Sequence, residues 1–180
     1  MQYIKTAIAG LWVIEPTVFN DARGYFMEAF KKEEFEKHIG RVDFVQENES
    51  KSSFGVLRGL HFQKGEYAQA KLVRVIKGSV YDVAVDLRKD SPTFGKHVGV
   101  ELTSENKKQF FMPRGFAHGF LVTSEEAIFT YKVDNAYAPR HEGAVLYNDP
   151  TLAIQWPLDE SRLLLSDKDR NALPLNEIKQ

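Results

Sequence analysis

Apolar and polar positions alternate along much of this chain, and the pattern changes character near residue 56. Before it, residues 1–30 read as short extended pieces: Leu11–Glu15 is one, Pro16 breaks it, and Asp21-Ala22-Arg23-Gly24 reads as a turn. Lys31–Ile39 predicts a helix, because Phe35 and Ile39 sit four apart on one face and Gly40 is placed to end it. Beyond residue 56 the period is two. Lys71–Ile76 and Ser79–Leu87 are β-rich runs separated by Lys77-Gly78, which reads as a hairpin turn. His97–Leu102, Gln109–Met112, Ala117–Thr123 and Ala127–Val133 continue in the same style, with Gly, Pro or charged clusters between them. Short strands at near-regular spacing predict an all-β sandwich or jelly roll with a few helical turns. Toward the C-terminal side, Leu163, Leu164 and Leu165 and the charged Asp167-Lys168-Asp169 turn predict a short helix or tail.

Composition narrows the classes. At 180 residues and 43% apolar, the chain suits one domain with a core that needs no staples. No repeat, low-complexity tract or Gly/Ser-rich linker divides it, so residues 1–180 are expected to form one unit, its N-terminal segment and C-terminal helix or tail packed on it. A formal charge of −1 argues against a general nucleic-acid binder. The absence of cysteine removes disulfides, thiolate metal sites and thiol nucleophiles. No apolar run approaches the ~18–20 residues a membrane span needs. Ala7–Ile14 imitates the apolar part of a signal peptide, but Glu15-Pro16 ends it without a cleavage site, so a cytoplasmic protein is expected.

The common nucleotide-binding glycine motifs and the serine-hydrolase elbow are missing, which argues against Rossmann, P-loop and α/β-hydrolase enzymes. Of the five histidines, His38 suits the end of the predicted helix, and His97 and His141 read as surface residues. His61 lies in Arg58-Gly59-Leu60-His61-Phe62-Gln63, and His118 opens a strand with Phe120 and Val122 on its face. Either is an ordinary core histidine or a functional one. Two histidines with Gln63 beyond the first make a poor ligand set for zinc or iron, which argues against a metal site. Lys71 shares a face with Val73 and Val75, Asp82 with Ala84 and Asp86, and Tyr131 with Phe129 and Val133. Alternation leaves open which face is interior. If Lys71 points inward it must be paired or face a ligand; otherwise it is an ordinary solvated charge on an edge strand.

Taken together these segments resemble a known family. Pro113-x-Gly115-x-x-His118 resembles the second cupin motif, and Val56–Gln63 sits where the first belongs, with a single histidine. Phe19-x-Asp21-x-Arg23-Gly24, Gln46-Glu47-Asn48, Lys71–Arg74, Asp82–Asp86, Ser91–Gly95, Gly115–Phe120 and Trp156-Pro157 follow in the order seen in the dTDP-4-dehydrorhamnose 3,5-epimerases. The resemblance implies a metal-free cupin jelly roll, normally a homodimer, that needs no cofactor. The implied reaction converts dTDP-4-dehydro-6-deoxy-D-glucose to dTDP-4-dehydro-L-rhamnose by inverting the two carbons beside the ketone.

Such carbons carry weakly acidic protons, so the reaction needs a positioned base, a stabiliser for the enolate and an acid on the opposite face. The resemblance implies that His61 is the base, oriented by Asp169 with Asp167 as a neighbouring rival. It implies that Lys71, together with His118, faces the ketone oxygen and that Tyr131 is the acid. By the same resemblance Arg23, Arg58 and Lys168 suit the diphosphate, Glu28, Gln46, Asn48 and Glu142 contact nucleotide or sugar, and Tyr137 stacks on the thymine. Arg23 and Glu28 are expected to serve the neighbouring subunit. The alternatives are a monofunctional 3- or 5-epimerase of another dTDP-deoxysugar pathway, and a sugar-nucleotide-binding cupin without catalysis.

Overall fold

The structure, a computed structural model, describes residues 1–178. The N-terminal strands β1 (Gln2–Lys5) and β2 (Trp12–Glu15) pair antiparallel, and β3 (Val18–Asp21) and β4 (Gly24–Met27) form a separate hairpin. Helix α1 (Lys32–His38) buries Phe35, carries Glu33 and Glu34 in its first turn and Lys37 and His38 in its last, and so complements its own dipole. It ends as predicted, with the Gly40 N–H donating to the Glu36 carbonyl. Then follow β5 (Gln46–Ser53), β6 (Leu57–Gln63), β7 (Lys71–Lys77), β8 (Ser79–Asp86) and β9 (His97–Thr103). After them come β10 (Gln109–Met112), β11 (Phe116–Val122), β12 (Glu126–Val133), β13 (Glu142–Ala144) and the one-turn α2 (Asp167–Arg170). The predicted tail runs on to residues 179–180, which lie outside the described residues.

Two antiparallel sheets face one another, six-stranded β1-β2-β10-β7-β12-β5 and five-stranded β13-β6-β11-β8-β9. Strands adjacent in sequence from β5 to β8 and from β10 to β13 alternate between sheets, so apart from β1–β2 and β8–β9 the partners within a sheet are not neighbours in sequence. That is an all-β jelly roll, as the strand pattern predicts, and of the cupin type that the resemblance implies. The hairpin reading of Lys77-Gly78 is overturned, because β7 and β8 belong to different sheets and the turn carries the chain across the sandwich. Gly78 has φ +79°, and a Cβ there would fall 2.0 Å from the Glu126 carbonyl oxygen. A tight turn between two apolar runs looks the same in sequence whether the runs pair edge to edge or stack face to face.

The sandwich interior holds one apolar cluster that includes Val73, Val75, Val80, Ala84, Phe110, Phe120 and Phe129. Complete burial of rings such as Phe110 and Phe129 contributes about 1.5–3 kcal/mol each. Helix α1 covers the outer face of the six-stranded sheet through Phe35, Leu72 and Phe111. Leu152, Ile154 and Leu175 of the C-terminal segment cover the other sheet at Val83 and Val85. His97 and His141, read as surface residues, are half-buried; burial pushes His97 below its ordinary pKa, and the His141 ring packs 4.2 Å from Tyr67. Among the described residues no helix is long and apolar enough to cross a membrane.

Candidate active site

Three strands pass from apolar core to polar cavity along a single inward face. Val75 and Val73 on β7 give way to Lys71, Phe129 on β12 to Tyr131, and Phe120 on β11 to His118. The cavity, about 290 Å³, is lined by Gln46, Asn48, His61, Phe62, Gln63, Gln69, Lys71, Tyr131, Tyr137 and Glu142. A recess of about 180 Å³ shares His61, Lys71 and Tyr131 with it and adds Arg58 and His118 among its walls. His61 and His118 come from the five-stranded sheet, Lys71 and Tyr131 from the six-stranded sheet, so the two pairs face each other across the sandwich. A wider depression of about 520 Å³ beside Arg88–Thr93 has polar walls already committed, since Arg88, Ser91 and Thr93 all donate to Asp86.

Close approach of β6 and β11 sets His61 directly opposite His118 in register. A Cβ on Gly59 would lie 2.4 Å from Gly119 Cα, so the strands meet at a separation only glycine permits. His61 Nε2 is 2.5 Å from Asp169 Oδ1. An ionised carboxylate accepts here, so Nε2 carries the hydrogen and Nδ1 keeps a lone pair. Ser166 caps α2 by accepting from the Asp169 N–H, and its hydroxyl donates to Asp169 Oδ2 at 2.9 Å. Burial alone would raise the Asp169 pKa, but the bond and charge of His61, with Ser166 and Lys168, hold it below the ordinary carboxylate value. Asp167 lies exposed on the first turn of α2, so of the two rivals it is Asp169 that reaches His61.

Lys71 is only 8% exposed, and its ammonium makes no hydrogen bond or ion pair among the described residues. The solvated-edge alternative is thereby overturned: β7 is central in its sheet, and Lys71 faces inward. Burial lowers its pKa from 10.5 to about 8, with Asp82 and Glu142 working the other way. His118 donates from Nε2 to the buried Asp82, at 2.9 and 3.1 Å from its two oxygens. Burial raises the Tyr131 phenol, partly offset by Asn48 and Arg58.

At the mouth, Glu142 accepts from the Tyr137 hydroxyl at 2.8 Å and pairs with Lys168 at 2.5 Å. Burial raises the Glu142 pKa, but these two partners outweigh it and bring the group below its ordinary value. Arg58 Nε donates to the buried Ser52 hydroxyl, and Gln46 donates to Asn48 at 2.7 Å. Arg23 and Glu28 do not line the cavity; Arg23 sits at the β3–β4 turn, paired with Asp21 at 2.6 Å and open to solvent. Gln63 spends its amide on backbone, donating to Tyr67 and Ala136 and accepting from Ala138. Among the described residues no three His, Cys, Asp or Glu side chains gather as a metal site.

Sequence reasoning passed over Phe62 and Gln69 in the lining and Ser166 behind it, and it noted Asp82 as a charge within a strand without giving it a role. Ser166 had a signal, since Ser-x-x-Asp is a capping pattern. Asp82 had a weaker one, a carboxylate among buried-type residues, and nothing local marks Gln69.

A sequence model described as dTDP-4-dehydrorhamnose 3,5-epimerase matches residues 5–177. A protein of that name from Shigella flexneri is 55% identical over 95% of this chain and 94% of its own. The crystal structure of an Elizabethkingia anophelis dTDP-4-dehydrorhamnose 3,5-epimerase is 55% identical, covers 98% and 97% of the two chains, and superimposes with a TM-score of 0.94. A Legionella pneumophila dTDP-6-deoxy-D-glucose-3,5-epimerase, solved with dTDP-4-keto-L-rhamnose, is 50% identical over 99% and 94%, with a TM-score of 0.95.

Proposed function

Because the chain belongs to the dTDP-4-dehydrorhamnose 3,5-epimerase family, we propose that it converts dTDP-4-dehydro-6-deoxy-D-glucose to dTDP-4-dehydro-L-rhamnose without a cofactor. The observation that carries the reading is the pairing of His61 with Asp169 across a cavity from Tyr131, with the unbonded Lys71 ammonium on the neighbouring strand to Tyr131. His61 removes a proton from the carbon beside the ketone through Nδ1, while Asp169 holds the ring and supports the imidazolium that forms. Lys71 meets the charge developing on the ketone oxygen, where low dielectric makes an ammonium more effective than it is in water. Tyr131 returns a proton to the opposite face of the same carbon. Its raised pKa keeps the phenol protonated near neutral pH. One proton leaves and one arrives at each inverted carbon, and the ketone is regenerated.

On this reading Arg58 and Lys168 hold the diphosphate, with Gln46, Asn48 and Glu142 on sugar and base, and the half-exposed Tyr137 ring offers a face for thymine. Lys168 must then exchange Glu142 for phosphate. The protein acts as a cytoplasmic homodimer in which Arg23 and Glu28 complete the partner's site. Exposed Phe19, Tyr25 and Phe26 on their hairpin suit burial against a second copy.

The test is incubation with dTDP-4-dehydro-6-deoxyglucose in D₂O, coupled to a reductase that traps product, with carbons 3 and 5 followed by NMR. Deuterium at both carbons and an L-rhamnose product is the expected result. Deuterium at one carbon would make the chain a monofunctional epimerase, and exchange at neither by folded protein would leave a binding role.

A further inference from the structure

Asp82 is completely buried on β8, and the one hydrogen-bonding partner of its carboxylate among the described residues is His118. A carboxylate in an apolar sandwich is expensive to keep unless positive charge lies nearby. One such group is at hand, the Lys71 ammonium, whose electrostatic partners are Asp82 first and Glu142 second, while the His118 ring contributes a hydrogen-bond donor. Glu142 is spoken for by Lys168 and Tyr137 at the mouth, so the undivided negative charge near Lys71 is that of Asp82. In register Asp82 pairs with Phe120, and His118 lies two residues along the same face, which lets the carboxylate reach the ring from behind the cavity wall.

Resting on the epimerase reading above, we propose that Asp82 is a positioning residue for the reaction. Its buried carboxylate anchors His118 by Nε2 and supplies the counter-charge that lets the Lys71 ammonium stand unbonded against the cavity. A consequence concerns His118 itself. Burial, Lys71 and His61 all favour its neutral form, against the pull of Asp82. Neutral His118 with its hydrogen on Nε2 has only a lone pair left, at Nδ1, and cannot donate to an enolate oxygen. Lys71 is then the donor at that oxygen, and the expected sharing of the role with His118 gives way to a supporting one.

Asp82→Asn preserves shape while removing charge. The groups facing Lys71 are Asp82 from β8, Glu142 from β13, His61 from β6, His118 from β11 and Tyr131 from β12, and all but Asp82 are retained. The expected variant binds dTDP as the parent does and loses about tenfold or more in kcat. Its alkaline limb of activity moves to lower pH by about one unit or more. Unchanged kcat with an unmoved alkaline limb, in protein that still binds dTDP, overturns the proposal. A second measurement needs no variant: nitrogen NMR of His118 in the unaltered protein should show a neutral ring with its hydrogen on Nε2. A hydrogen on Nδ1 with bare Nε2 overturns the proposal even if Asp82→Asn fails to fold. Failure of the epimerase reading is recognised separately, as absence of deuterium exchange by the parent protein.

Discussion

Replacing Lys71 by Met should make this protein more stable and nearly inactive. Burial takes the Lys71 pKa from 10.5 to about 8. At ~1.36 kcal/mol per pH unit, keeping the proton in the folded state at about pH 7 costs roughly 3 kcal/mol. The sign follows from proton counts. Between about pH 8 and the unfolded value of 10.5, the unfolded chain holds the proton that the folded chain has lost, so stability rises with pH across that window. The penalty is therefore complete below about pH 8 and gone above 10.5. Methionine has similar volume and no charge, and it removes the penalty. Asp82 then keeps only His118, which trims the gain to about 2 kcal/mol. For a chain of this size that is a rise of roughly 4–8 °C in Tm. Turnover should fall by about 10²–10³-fold, as when a donor to a developing oxyanion is lost. Calorimetric melts of both proteins at neutral and at strongly alkaline pH test this, with the difference expected to shrink at the alkaline end. A variant less stable than the parent at neutral pH, or a difference that ignores pH, would refute the reasoning.

His61→Ala should abolish turnover while leaving dTDP affinity within about tenfold, or ~1.4 kcal/mol, by calorimetric titration; substantial residual activity removes His61 as the base. Tyr131→Phe should still exchange deuterium into substrate but slow or misdirect inversion, and normal product at normal rate discards its role as acid. Ser166→Ala removes the α2 cap and one bond to Asp169; about 1 kcal/mol of stability and part of kcat should go together, and an unaffected kcat would mean His61 alone holds Asp169. Gly59→Ala drives a Cβ into Gly119 and should lower the denaturation midpoint by the equivalent of ~3 kcal/mol or more, with a neutral result placing unsuspected slack between β6 and β11.

Alternation and turn residues carried most of the fold. Each run from Lys71 to Val133 became a strand within a residue or so of its predicted ends, because half-buried strands write their burial into every second position. What the pattern could not carry was which strands share a sheet, as Lys77-Gly78 demonstrates. The inward face of β7 was ambiguous for a related reason: Lys71 breaks the apolar rule at the point where the core ends and the cavity begins. His61, Lys71, Tyr131, Asn48 and Glu142 converge although they come from five strands, and that convergence was legible only through resemblance to a family. Arg23 and Glu28 stay away from the cavity of their own chain, a placement no local pattern specifies.

The bond between His61 and Asp169 spans 108 residues, and every strand of both sheets precedes Asp169 in the chain. The strands that build the sandwich and its cavity, and the histidine itself, thus all lie upstream of the carboxylate that bonds the ring. Leu164 bridges to Val56 beside β6 just upstream, so the closing segment adds to a sheet edge that is already formed. A chain nicked ahead of that segment would leave the His61 ring without its carboxylate partner. On the proposed reading, the chemistry is completed by a segment that docks on a sheet edge made of strands lying upstream of it.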